Sequence, residues 1–194
     1  MNFLAHLYLS GPDAEVMVGN FIGDFVKGRQ LHDRFAPNVV KGIQLHRAID
    51  AFTDSHPVVA QSKARLRPRY RHYAPVIVDV FYDYYLATNW ADYSDILLPD
   101  FAEHCYNTLE QHRTILPPDA QQMLPYMVRG NWLVGYAQQE GIHRALTGMS
   151  RRTKFDSKMD EAIDDLRKGY HDFGNEFAAF FPELIAHCRE MLAV

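Results

Sequence analysis

Apolar residues recur at three- and four-residue intervals along most of the chain, the spacing that lays one stripe along a helix. Apolar and polar residues alternating between hairpin dipeptides such as Asn-Gly or Asp-Gly are missing, so strands find poor support. The pattern predicts helices over residues 12–26, 39–54, 57–66, 75–90, 99–116, 120–139, 155–170 and 176–192. Pro12, Pro57, Pro75, Pro99 and Pro118 stand at or just before these starts, where a missing N–H costs nothing. Gly28, Gly141 and Gly174 read as helix stops or breaks, and Pro68 as a break after residue 66. No repeat, low-complexity tract or linker divides the chain, so residues 1–194 are expected to form one all-α domain, a compact bundle of about eight helices.

Two aspartates interrupt this pattern. The segment from Pro75 to Leu86 is apolar or aromatic at nearly every position except Asp79 and Asp83. A helix apolar all round is buried, and a buried carboxylate needs a hydrogen-bonding, ionic or metal partner. On a helix Asp79 and Asp83 lie roughly 5–6 Å apart, within reach of one centre. Read instead as a strand, beginning Val-Ile-Val, the segment would hold them about 13 Å apart. The length of the run favours helix.

His46, Asp50 and Asp54 follow at four-residue steps on one stripe, among apolar Leu45, Ile49 and Phe52. An imidazole and a carboxylate on adjacent turns face one point, which suits a metal. Asp54, before Ser55, His56 and Pro57, also reads as a helix end that caps the next helix. Asp24 lies among apolar residues between Gly19 and Gly28, where glycines allow close backbone approach. His6, in the apolar stretch Asn2–Leu9, is either a further ligand or a satisfied core histidine. Oxygen and imidazole donors without cysteine favour Mn, Mg, Fe or Zn bound for hydrolytic chemistry, and a carboxylate-rich set suits Mn or Mg. Such a metal activates water and neutralises charge on phosphoryl oxygens, so phosphoester hydrolysis is its natural use.

Composition narrows the classes. With 47% hydrophobic and 23% charged residues the chain is globular, not disordered. A net charge of −4 gives no general attraction for nucleic acid or an anionic membrane. Residues 1–9 lack the basic start and cleavage site of a signal peptide, and no run is long enough to span a membrane. Cys105 and Cys188 have no zinc-ligand spacing and read as structural, which with the missing signal points to the cytoplasm. Against the acidic whole, Lys63, Arg65, Arg67, Arg69, Arg71 and His72 crowd into ten residues. They form either a solvated face or a docking patch for an acidic partner. A second cluster, Arg151, Arg152 and Lys154, falls in a loop.

Taken together, several pieces resemble the bacterial acyl carrier protein phosphodiesterase family. They are Met1-Asn-Phe-Leu-Ala-His6-Leu, Gly19-Asn20 with Asp24-Phe25-Val26, His46-Arg47 with Ile49-Asp50, Asp79 with Asp83, Gly148-Met149 and Phe180-Phe181-Pro182. The match runs nearly end to end. It implies a manganese-dependent enzyme, related to the all-α HD phosphohydrolases, that hydrolyses 4'-phosphopantetheine from holo acyl carrier protein. It also implies acidic site positions at Asp24, Asp50, Asp79 and Asp83, with His46 and His6 nearby, as catalytic groups and ligands of one or two Mn ions. The Lys63–Arg71 stretch would then dock the carrier protein. One departure stands out: the adjacent His-Asp pair of true HD proteins occurs here only as His32-Asp33 and His171-Asp172, both in polar surroundings near glycines. Two rival readings are an HD-like hydrolase of a nucleotide or other small phosphodiester, and a non-catalytic helical module whose basic stretch binds an acidic protein.

Overall fold

The computed structural model describes residues 1–193 and contains no strand among them. Its α-helices are α1 (Phe3–Tyr8), α2 (Ala14–Phe21), α3 (Pro37–Ser55), α4 (Pro57–Tyr70), α5 (Ala74–Thr88), α6 (Leu98–Gln111), α7 (Pro118–Arg129), α8 (Trp132–Gly135), α9 (Gln139–Ser150), α10 (Ile163–Lys168) and α11 (Tyr170–Ala193). Eight of these have seven or more residues. The fold is all-α.

Local chemistry explains most of the starts. Asp13 caps α2 by accepting from the Val16 N–H at 2.9 Å. Proline occupies the first turn of α3, α4, α5, α6 and α7. His56 caps α4, its Nδ1 accepting from the Val58 N–H.

The central helix is α5, in which Ile77, Val78, Val80, Phe81, Tyr82 and Leu86 are all fully buried. Helices α1, α4, α9 and α11 pack against it. Its far side meets a ring cluster on α11, where Phe173 sits edge-on to Phe81 at 5.1 Å and Phe177 edge-on to Tyr82 at 5.6 Å. The most extensive helix pair is α2 with α3. It is possible only because glycines face each other: a Cβ on Gly19 would lie 2.1 Å from the Val39 carbonyl oxygen, and one on Gly42 2.2 Å from that of Val16.

Several boundaries differ from the sequence pattern. The helix expected over 120–139 is broken, because Asn131 takes a left-handed conformation (φ 42°) that ends α7 and starts α8. Gly141 is not a stop. It lies in the first turn of α9, where its missing side chain lets the helix press on the Gly135 backbone, 1.9 Å from where a Cβ would be. Helix α9 was therefore hidden, and the helix expected over 155–170 is an irregular segment followed by the short α10. Pro68 does not end α4, which runs on to Tyr70; a proline near a C-terminus removes one ladder bond and the last turn closes around it. Gly174 lies inside α11, and the first nine residues contain α1. No described helix is long and apolar enough to cross a membrane.

Candidate metal centre

The site gathers where α1, α3 and the turn after α2 meet. The His6 ring, from α1, stacks on the His46 ring, from α3, with centroids 4.0 Å apart. Both are buried. Gly23 makes room for this: a Cβ there would stand 2.2 Å from the His46 ring.

Asn20 sets the tautomer of both rings. Its side-chain N–H2 donates to the His6 carbonyl and to Ser10 Oγ, so its Oδ1 faces His6 Nδ1 at 2.8 Å and must accept from it. Its backbone carbonyl accepts from His46 Nδ1, also at 2.8 Å. With both Nδ1 atoms donating, both neutral rings turn an Nε2 lone pair the same way. His6 Nε2 then meets Asp50 Oδ1 at 3.3 Å, and His46 Nε2 meets Asp50 Oδ2 and Asp24 Oδ1 at 3.2 Å each. Lone pairs pointed at carboxylate oxygens repel unless a proton or a metal cation lies between them. His6 Nε2 is buried and has no hydrogen-bond partner.

The charges respond to this crowding. Burial disfavours the His46 imidazolium, but the carboxylates of Asp24 and Asp50 outweigh it and push the ring up to about 9. Burial, helped by the positive charges of His46 and the N-terminus, pushes His6 down to about 4 despite Asp50. Asp50 is held well below the usual carboxylate range: its own burial opposes this, and the two histidines and the N-terminal ammonium overcome it. These features fit a divalent cation at the point that His6, His46 and Asp50 share, with donor atoms within 4.8 Å of one another.

The other expected site residues take different places. Asp24 is exposed beside His46. Asp79 lies across the cavity and pairs with the N-terminal ammonium at 3.0 Å, while Asp50 is 3.8 Å from that group. Asp24, Asp50 and Asp79 share a cavity of about 280 Å³ with Thr53, Val76 and Met149. Asp83 does not face this cavity. Fully buried, it accepts from the backbone N–H groups of Asn2 (3.3 Å), Leu4 (2.7 Å) and Ala5 (3.3 Å), and so caps α1 from outside the helix. Burial pushes its carboxyl up to about 7 against those three bonds and the nearby ammonium. Asp54 also lines this cavity, and its Oδ1 binds Lys63 at 2.7 Å.

Most of the basic stretch is engaged internally. Lys63 is buried and pairs with the exposed Asp54, Arg65 bonds Glu176 at 2.9 Å, and Arg69 pairs with Glu161 and with Asp165. Arg67 and Arg71 are exposed and form no ion pair among the described residues. Neither adjacent His-Asp pair enters the site, since His32, Asp33, His171 and Asp172 are all exposed. Cys105 and Cys188 are free and buried, and burial pushes each thiol up to about 12.

The sequence matches known proteins along nearly its whole length. A family model described as Acyl carrier protein phosphodiesterase matches residues 1–184. The chain belongs to that family. It is 35% identical over 189 residues to the Acyl carrier protein phosphodiesterase of Photorhabdus laumondii, covering 95% of this chain and 93% of that protein. Proteins of the same name from Shigella boydii, 37% identical with 96% of each chain covered, and Yersinia enterocolitica, 32% identical with 98% of each covered, agree. No solved structure matches.

The sequence pattern alone does not mark Asn20 and Gly23 as working residues. A buried asparagine inside an apolar helix was the available signal for the first. Contact with a ring 23 positions away left none for the second.

Proposed function

We propose that this chain is a cytoplasmic, metal-dependent phosphodiesterase that hydrolyses the bond between 4'-phosphopantetheine and the serine of holo acyl carrier protein, giving apo carrier protein and free 4'-phosphopantetheine. The observation that carries the metal dependence is the convergence of the His6 and His46 Nε2 lone pairs on the Asp50 carboxylate at the wall of an acidic cavity. Family membership carries the substrate class.

His6, His46 and Asp50 would hold the metal, with Asp24 as the adjoining carboxylate. Two imidazoles beside carboxylates suit Mn2+ better than Mg2+, which prefers oxygen donors and keeps its waters. When bound, the metal supplies Lewis-acid polarisation of a phosphoryl oxygen and lowers the pKa of a water. The protein's own groups do the rest. Asn20 fixes both imidazoles in the ligating tautomer. Asp24, exposed at the cavity, takes the proton of the attacking water. Asp79 and the ammonium it holds line the same cavity, balancing charge next to the phosphate. Asp83 supports the site from behind by holding the start of α1, and with it His6.

Basic residues adjoin in sequence two walls of the cavity. Arg71 and His72 lead directly into Pro75 and Val76 on one wall, and Arg151, Arg152 and Lys154 follow Met149 on another. We assign these, together with Arg67, to meeting an acidic carrier protein.

Intact-mass measurement of holo acyl carrier protein tests this reading. The metal-stripped chain is incubated with the substrate with and without Mn2+, beside Asp50→Ala. Loss of the phosphopantetheine mass only for the unaltered chain with Mn2+ is the expected result. No loss with any divalent metal, from folded protein, sinks the reading.

A further inference from the structure

A second and larger cavity, about 730 Å³, lies between α7, α8 and α9. Its volume is in the range of small-molecule sites. The walls are mostly apolar and aromatic, built from Met123, Tyr126, Trp132, Tyr136 and Ala145. Gln122 and Arg144 bring hydrogen-bond donors to it. Arg144 forms no ion pair among the described residues.

This cavity adjoins the acidic one. Met149 lines both. Asn2, on the acidic wall, donates through its side-chain N–H2 to the Tyr136 hydroxyl on the apolar wall at 3.1 Å, and the next residue, Phe3, lines the apolar cavity and lies 6.5 Å from the Trp132 ring. A phosphodiester at the acidic cavity has two substituents that must leave it in different directions. One is a folded protein and needs an open surface. The other is a slender chain of a gem-dimethyl group, two amides and a thiol, and only this one fits a concave pocket.

We propose that the apolar cavity is the subsite for the pantetheine arm, its gem-dimethyl end near Met149 and its amides within reach of Gln122 and Arg144. This rests on the phosphodiesterase reading above. It adds where the arm lies and which residues select it: the rings of Trp132 and Tyr136 exclude water from the methyl groups, and the polar rim pairs the amides.

Gly148 provides a plug. It lies in α9 on the cavity wall, and a Cβ there would meet nothing within 4 Å, so Gly148→Phe projects into open space without straining the helix. The experiment titrates pantetheine itself, which has no phosphate and no carrier, into the metal-free chain and into Gly148→Phe by calorimetry. Binding is located separately in the unaltered chain by NMR of 13C-labelled methionine methyls. Saturable binding is expected, with the Met123 and Met149 methyls shifting while the core Met17 methyl does not, and with affinity at least about tenfold weaker in Gly148→Phe at an unchanged melting temperature. No binding at millimolar pantetheine, shifts confined to other methyls, or equal affinity in Gly148→Phe each overturns the proposal. Because turnover plays no part, the two readings fail separately: a chain that binds pantetheine at these methyls but never cleaves holo carrier protein contradicts the reaction and leaves the pocket standing.

Discussion

Asn20 decides which nitrogen of two different imidazoles faces the cavity, and does so with one side chain and one carbonyl. Asn20→Ala removes the acceptor for His6 Nδ1 and frees that ring to take the other tautomer. Affinity for Mn2+, measured by calorimetry, should fall by about 10–100-fold while the fold survives, the size usual for losing a group that orients a metal ligand. Asp83→Ala should act differently. It leaves three backbone N–H groups at the start of α1 without their acceptor, at a cost of about 1–3 kcal/mol read as a lower melting temperature. Metal affinity should fall only as far as His6 moves with α1. A loss as complete as that of Asp50→Ala would show that Asp83 is itself a ligand. The sequence made His46 and Asp50 legible because they stand one helical turn apart, a relation local spacing fixes. It also showed that Asp79 and Asp83 require partners. It had no means of showing that those partners are backbone N–H groups and an ammonium some eighty positions away.

At the scale of elements, the register of α2 on α3 delivers Asn20 to the two histidines and brings Gly23 up to the His46 ring. The contact depends on Gly19 and Gly42, whose backbones nearly touch. Gly42→Ala places a methyl 2.2 Å from the Val16 carbonyl oxygen, which belongs to a helix and cannot swing aside. The helices must separate, and the variant should lose about 3 kcal/mol or more, at or beyond the top of the usual overpacking cost. Chemical denaturation measures this. Gly148→Ala, on a helix with open space beside it, is the matched control and should gain up to about 1 kcal/mol. Helices rich in apolar periodicity, such as α3 and α5, were legible because their cores repeat on one face. Helix α9 is not, because Gly141 reads as a stop when it is a close-contact residue in the helix's first turn. Nor was the split between α7 and α8, which depends on a single left-handed asparagine.

On the scale of the whole molecule, docking and stability both follow from where charge is left over. Arg67 and Arg71 are exposed and form no ion pair among the described residues, so on the docking assignment proposed above, converting both to glutamate should raise KM for holo carrier protein several-fold at low salt with little change in kcat. An unchanged KM would move docking to Arg151, Arg152 and Lys154 alone. None of this was visible from the run of basic residues, since Lys63, Arg65 and Arg69 find partners only once α4 packs against α3, α10 and α11. Likewise, the cavities exist only between elements distant in sequence. The stacked histidines make a further demand on the molecule as a whole. In the metal-free chain His6 is pushed down to about 4 and His46 up to about 9, from a common ordinary value of 6.5. Between pH 4 and 6.5 the unfolded chain binds a proton at His6 that the folded chain does not, which raises stability with pH, while Asp83, pushed up to about 7, keeps a proton in the folded chain that the unfolded chain loses above about 4, which opposes that rise. Between 6.5 and 9 the folded chain keeps a proton on His46 that the unfolded chain has lost, so stability falls as pH rises. His6 and Asp83 thus offset each other below pH 6.5, which leaves the alkaline fall set by His46, on the order of a few kcal/mol across its window. His46→Gln should abolish the alkaline limb in a series of melting curves, and His6→Gln, by removing the contribution that opposes Asp83, should leave stability falling with pH below 6.5. Added Mn2+ replaces the proton on His46, so it too should remove the alkaline limb, and only in chains that retain His6, His46 and Asp50. A limb that persists in His46→Gln would assign the titration to another group and detach the pH dependence from the metal centre.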